Sequence, residues 1–287
     1  VSPSDLLHGW LAARLPPQAS AWLESATARV RGASGDRELF FAIGEASRRV
    51  GREPLNPGAD ELQAASASRP GWDPRDWTID GATRVRLLLA STADDATFAR
   101  RLDTLCNAAE IGELVAFYRG LPLYPDPPRH ALRAAEGLRS SIRLVFEAVA
   151  HRNPYPAEQF AETAWNQMVL KALFVGSRLD RIVGLDARAN PALAQMLSDY
   201  AHERWAAKRV ISPELWRCVG PYATGAALDD FRRLLDGGTE HERQAAALAL
   251  AGSTHHDARR LLDSHQELAA AARAGRLHWE LLADAFG

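Results

Sequence analysis

The chain has 287 residues, enough for one large domain or two small ones with a substantial core. Apolar residues make up 47% and charged residues 24%, the balance of a globular protein, and the formal net charge of −2 argues against nucleic acid or an acidic membrane surface as a partner. The two cysteines, Cys106 and Cys218, have neither a zinc spacing nor a disulfide framework, which makes a reducing, cytoplasmic setting the expectation.

Helical periodicity runs from end to end, with no strand-like alternation. Ser4 and Asp5 cap a first helix that Pro16 and Pro17 end, and a second spans about 19–30. Asp36 caps a third helix, which carries Leu39, Phe40, Ile43 and Val50. Residues 52–74, rich in Pro, Gly, Ser and Asp, read as a long connection with one weak helix, a linker or flap. Stronger helical signals follow at 77–91, 94–107, 109–120, 128–151, 157–175 and 190–208, punctuated by prolines. After a short helix beyond Pro213 come helices at about 225–236, 239–251, 255–263, 265–274 and 276–286.

The expected fold is therefore all-α, one domain over 1–287, with a weaker helical part to residue 75 and a main body from 76. The pair at 239–263 resembles a HEAT-type unit, so antiparallel helix pairs stacked into an α-solenoid or a compact helical bundle are expected. No apolar run approaches the ~20 residues of a membrane span.

Polar residues concentrate unusually between His151 and Arg209. From Trp165 to Val175 a helix is apolar nearly all round except for Asn166, Gln167 and Lys171, which are either polar groups satisfied within a core or ligand-facing; Lys171 snorkels to a surface, pairs with a carboxylate or faces a polar cavity. On the helix at 190–208, Gln195, Ser198, Asp199, His202 and Glu203 form one stripe, and Arg204 projects from the apolar face opposite. A buried guanidinium needs a carboxylate or a carbonyl fork; Glu147, Glu162 and Asp186 are the carboxylates in view. Asp199 and His202, Glu147 and His151, and Glu110 and Glu113 have metal-ligand spacings. Without a Glu-x-x-His or His-Glu-x-x-His motif, solvated faces explain them better, and neither a metal nor a cofactor is expected. Nucleophile elbows, Walker loops and dinucleotide fingerprints are also missing.

Six strings carry a family resemblance: GELVAFYRGLPLYP at 112–125, EGLRSSIRLVFEAVAHRNPYP at 136–156, WNQMVLKALFVG at 165–176, LDARAN at 185–190, DYAHERWAAKR at 199–209 and PELWRCVGP at 213–221. Over about 110–250 the chain resembles the EboA family. Members of that family are encoded beside a UbiA-like membrane prenyltransferase, a sugar-phosphate-cyclase-like protein, a TatD-like hydrolase, a xylose-isomerase-like barrel and a phosphatase-like protein. The resemblance thus implies a part in making or moving a secondary metabolite, and it supplies no catalytic residues.

The leading expectation is an accessory protein that binds a metabolite or a pathway protein, with a membrane prenyltransferase among the candidate partners. The expected site combines Trp165, Asn166, Gln167, Lys171, Arg178 and Arg181 with Asp199, His202, Glu203, Arg204 and Trp205: cationic groups for an anion or carbonyl, tryptophans for apolar walls. The alternatives are an enzyme using Lys171 or His202 as acid, base or nucleophile, and a scaffold with no small ligand.

Overall fold

A computed structural model describes residues 1–91 and 94–284. The fold is all-α: eighteen α-helices among the described residues, and no strand beyond one isolated bridge between Pro54 and Thr78. The chain divides into two compact units, Val1–Phe160 and Ala161–Gly287.

The first unit contains α1 (Pro3–Arg14), α2 (Pro17–Gly32), α3 (Arg37–Val50), α4 (Ala59–Ser68), α5 (Ile79–Ala90), α6 (Asp95–Ala108), α7 (Ile111–Arg119), α8 (Ala131–Arg139), α9 (Arg143–Ala150) and α10 (Tyr155–Gln159). Its centre is α5, which packs against α1, α2, α3 and α7 and is buried at every residue from Ile79 to Leu88. Thr78 starts it, with Oγ1 accepting the Gly81 N–H at 3.2 Å, a conventional N-cap. A helix enclosed on all sides is ordinarily apolar, yet α5 reads IDGATRVRLLLA and buries Asp80, Arg84 and Arg86.

Residues 52–74 are anchored along their length. Leu55 N–H donates to the Trp77 carbonyl and Ile79 N–H to the Glu53 carbonyl, both at 2.8 Å. Arg14 binds the Leu55 carbonyl at 2.7 Å and forks onto Glu61 of α4 at 2.9 and 2.5 Å. Trp72 closes the segment between Trp10 and Trp77, with ring centroids 5.5 and 5.8 Å away.

Two long helices expected from periodicity are broken. The stretch 128–151 is a 3-10 turn (Pro127–His130), then α8, then α9. At the break, Ser140 turns extended and its hydroxyl takes the Ile142 N–H at 3.1 Å, a side chain competing with the helix ladder. Glu147 and His151 fall at the end of α9, and His151 is buried there. Similarly, 157–175 divides at Phe160 into α10 and the first helix of the second unit. Asp36 does precede α3 but makes no cap bond; its carboxylate instead receives Arg101 at 2.6 Å and Arg100 at 2.9 Å from α6.

The second unit contains α11 (Glu162–Phe174), α12 (Pro191–Ala206), α13 (Trp216–Val219), α14 (Ala226–Gly237), α15 (Glu240–Ala251), α16 (His256–Asp263), α17 (Gln266–Arg273) and α18 (Trp279–Asp284). The final residues of the expected helix at 276–286, 285 and 286, lie outside the described residues. Here α15 is the hub, touching α13, α14, α16, α17 and α18 through buried Ala245, Ala246, Ala247, Ala249 and Leu250. Small side chains let neighbours come close: a Cβ on Gly220 would stand 2.7 Å from the Ala249 Cβ. Among the described residues, no helix is long and apolar enough to cross a membrane.

Candidate functional site

The first unit holds a cavity of about 390 Å³ between the N-terminal halves of α5 and α7. Its apolar wall includes Trp77, Ile111, Val115 and Leu144, and its charged wall includes Asp80, Arg84, Glu113 and Arg119. Asp80 and Arg84 are one helical turn apart, so they share a face of α5 and form an ion pair. Both are almost out of water, at 7% and 4% exposure.

Each partner is held by the local fold. The Thr78 hydroxyl that caps α5 also donates to Asp80 Oδ1 at 2.7 Å. Glu113 has two tasks: Oε2 accepts the Glu110 N–H at 3.2 Å, capping α7, while Oε1 lies 3.5 Å from Arg84 Nη2. The guanidinium therefore faces two carboxylates, and its Nε remains buried with no hydrogen-bond partner. At the margin Arg119 donates to the Asp76 carbonyl, and burial pulls its guanidinium below the ordinary value. Such a cavity, with apolar walls around a few converging polar groups, has the size and make-up of a small-molecule site.

The residues of the site expected from sequence all lie in the second unit, spread over several local arrangements. Asn166 is buried and exchanges two amide hydrogen bonds with Asn190, at 3.1 and 2.9 Å. Asn190 in turn caps α12 by accepting the Leu193 N–H at 2.8 Å. Trp165 is buried, with the Arg188 guanidinium 4.7 Å from its ring centroid, and its indole N–H has no partner. Gln167 is exposed; Lys171 is half-buried, and burial lowers its ammonium pKa.

Arg178 forks onto Asp180 at 2.8 and 2.7 Å and also binds Asp284, whose carboxylates hold its pKa above the usual value. Arg181 is half-buried, with its Nε unpartnered. Arg204 takes the carbonyl option: Nε and Nη2 clasp the Val210 carbonyl at 3.1 and 2.6 Å, so Glu147, Glu162 and Asp186 are not its partners. Asp186 instead receives Arg217 at 2.6 and 2.7 Å.

One group from the expected set does converge. His202 Nε2 meets the buried Asp230 carboxylate at 2.8 and 2.9 Å. Its ring lies 5.8 Å from Trp205, which stacks on Trp216 at 5.6 Å and carries Arg233 at 4.2 Å. Asp199 is engaged by Gln195 at 2.8 Å, one turn from His202, and Glu203 is exposed. Among the described residues, no cluster of three or more His, Cys, Asp or Glu is placed to hold a metal.

The sequence shows the charges on α5 but not their burial. Residues 84 and 86 are two apart, about 200° around a helix, so a helix bearing arginine at both positions and packed on every side must bury at least one. Interrupting the run VRLLLA with Arg86 was the available signal.

These features define an all-α protein with a polar-floored cavity built on a fully enclosed helix. The chain belongs to the EboA family: the family model described as metabolite traffic protein EboA matches residues 3–220, which includes the first unit from residue 3 onward. No curated protein and no solved structure matches the chain.

Proposed function

We propose that this protein is an accessory component of a metabolite pathway that holds a small polar metabolite in the α5–α7 cavity. One observation carries the reading: a cavity of about 390 Å³ ends on the buried Asp80–Arg84 pair with half-buried Glu113 beside it, inside the family-matched residues. An ion-paired group costs free energy to bury, and replacing such pairs with apolar side chains is often neutral or stabilising. Its presence beside a cavity supports a role in recognition. Trp77, Val115 and Leu144 would cover the ligand's carbon skeleton, and the charged floor would orient its hydroxyl or carbonyl groups.

A second reading places chemistry at Lys171, whose ammonium pKa partial burial lowers, the direction an amine nucleophile requires. Borohydride trapping of a carbonyl compound on Lys171 is its test.

The deciding experiment is native mass spectrometry of the chain purified from its own cells, beside Val115→Trp, which fills the cavity, and Lys171→Ala. A small molecule kept by the wild type and Lys171→Ala but lost from Val115→Trp supports the α5–α7 site. Loss from Lys171→Ala alone moves the site to the second unit. A stoichiometric protein partner with no small molecule replaces the reading with a scaffold.

A further inference from the structure

Arg86 lies on the opposite side of α5 from Arg84, beneath a second cavity of about 430 Å³ bordered by α1 and α2. The residue is 6% exposed, and its Nε and Nη1 are buried with no hydrogen-bond partner. The acids on the cavity wall leave it unsatisfied. Asp5 accepts from Ser2 N–H and Ser2 Oγ–H, at 3.2 and 2.7 Å, in the capping box of α1, and Glu24 is exposed.

Arg31, also on the wall, adds a second positive charge. Burial, and then Arg31, disfavour the charged form of Arg86, with Asp5 opposing them. A guanidinium does not escape by losing its proton near neutral pH. What it lacks is an anion, and the cavity is far larger than an inorganic ion requires.

We propose that this cavity binds the carboxylate of a small organic acid, received by the Arg86 guanidinium with Arg31 beside it. A planar carboxylate matches a guanidinium edge with two parallel hydrogen bonds. The acid's carbon skeleton would lie along Leu23, and Thr27 offers a hydroxyl to a polar substituent. Asp5 and Glu24 set the charge preference: a monoanion balances the buried arginine, whereas a phosphate dianion places extra negative charge against two carboxylates. This site is separate from the α5–α7 cavity and stands whether or not that cavity holds a ligand.

The test is a titration of the full chain with the monoanions acetate, lactate and glycolate against chloride and inorganic phosphate at constant ionic strength. Thermal midpoint and calorimetric affinity are followed for wild type, Arg86→Met and the surface control Arg29→Met. Carboxylates are expected to raise the midpoint of wild type and Arg29→Met above chloride. Arg86→Met should lose at least about tenfold in affinity, equivalent to ~1.4 kcal/mol.

An equal response in Arg86→Met, or no carboxylate response above chloride in wild type, overturns the proposal. A stronger response to phosphate overturns the carboxylate assignment. Should Arg86→Met fail to fold, the Arg86 Nε–H resonance of the wild type decides: a shift on adding lactate but not chloride supports the site, and an unmoved resonance removes it.

Discussion

Asn166 and Asn190 hold each other by two amide hydrogen bonds, and the Asn190 side-chain oxygen also caps α12. This pair ties the middle of α11 to the first turn of α12, so a polar residue inside an apolar helix fixes where the next helix begins. Asn190→Ala removes the cap and strands the buried Asn166 amide. We expect a loss of about 2–3 kcal/mol, the sum of a cap and an unsatisfied buried group. Asn166→Ala should cost about 1 kcal/mol, because Asn190 still caps the helix. Urea unfolding of both singles and the double mutant checks this, and fully additive losses would mean the pair does not act as a unit.

The Asp80–Arg84 pair is the sharpest electrostatic feature of the first unit. Asp80→Ala leaves Arg84 buried with only Glu113, and breaking a buried pair costs about 3–5 kcal/mol. The double substitution Asp80→Leu with Arg84→Met should recover most of that loss while removing the buried ion pair from the cavity floor. Chemical denaturation, read beside retention of any small molecule that the wild type carries, separates the pair's structural role from its proposed recognition role.

His130 supplies a pH dependence with a definite sign. It is buried against Phe98 and Tyr124, and its Nε2 meets the Pro125 carbonyl at 2.9 Å. Burial lowers its pKa below the ordinary 6.5, so the folded state holds it neutral while the unfolded chain takes up a proton first. Its stability contribution is therefore full above about pH 6.5 and is lost as pH falls through the lowered folded value. His130→Gln should flatten the stability-versus-pH curve below neutrality, measured by thermal unfolding across that range. An unchanged slope would show that His130 is not buried neutral.

Gly220 is required by the approach of α15. A methyl group there would press on the Ala249 main chain and side chain, so Gly220→Ala is expected to cost about 1–3 kcal/mol through overpacking. The paired change Gly252→Ala, where only one atom lies within 4 Å of a new Cβ, at 3.5 Å, provides the comparison. Thermal melts that move equally for the two would remove the close-approach argument.

The helices were written in the local pattern. Thr78, Asp94, Asn190 and Thr239 each accept the N–H that starts a helix, and apolar spacing carried α5, α6, α12 and α14–α17 to within a few residues of their ends. Ser140 shows where that reading stops. Whether a serine hydroxyl decorates a helix or breaks it depends on what the chain meets next, and Gly137 sits against Val149 and Tyr118, contacts that exist only after folding. Asp36 makes the same point, since the sequence places it at a helix start and α6 then takes its carboxylate.

The amino-acid sequence by itself determined that this protein is helical throughout, and its quoted strings pointed to its family, because helix caps, 3.6-residue periodicity and short motifs are properties of neighbouring residues. Only the tertiary structure decided that α5 lies at the centre of the first unit and that Asp80, Arg84 and Arg86 are buried there. Burial depends on how many other helices surround a helix, and that is settled by relationships between residues far apart in the chain: Arg84 beside Glu113, and Arg86 on the same cavity wall as Asp5 and Arg31.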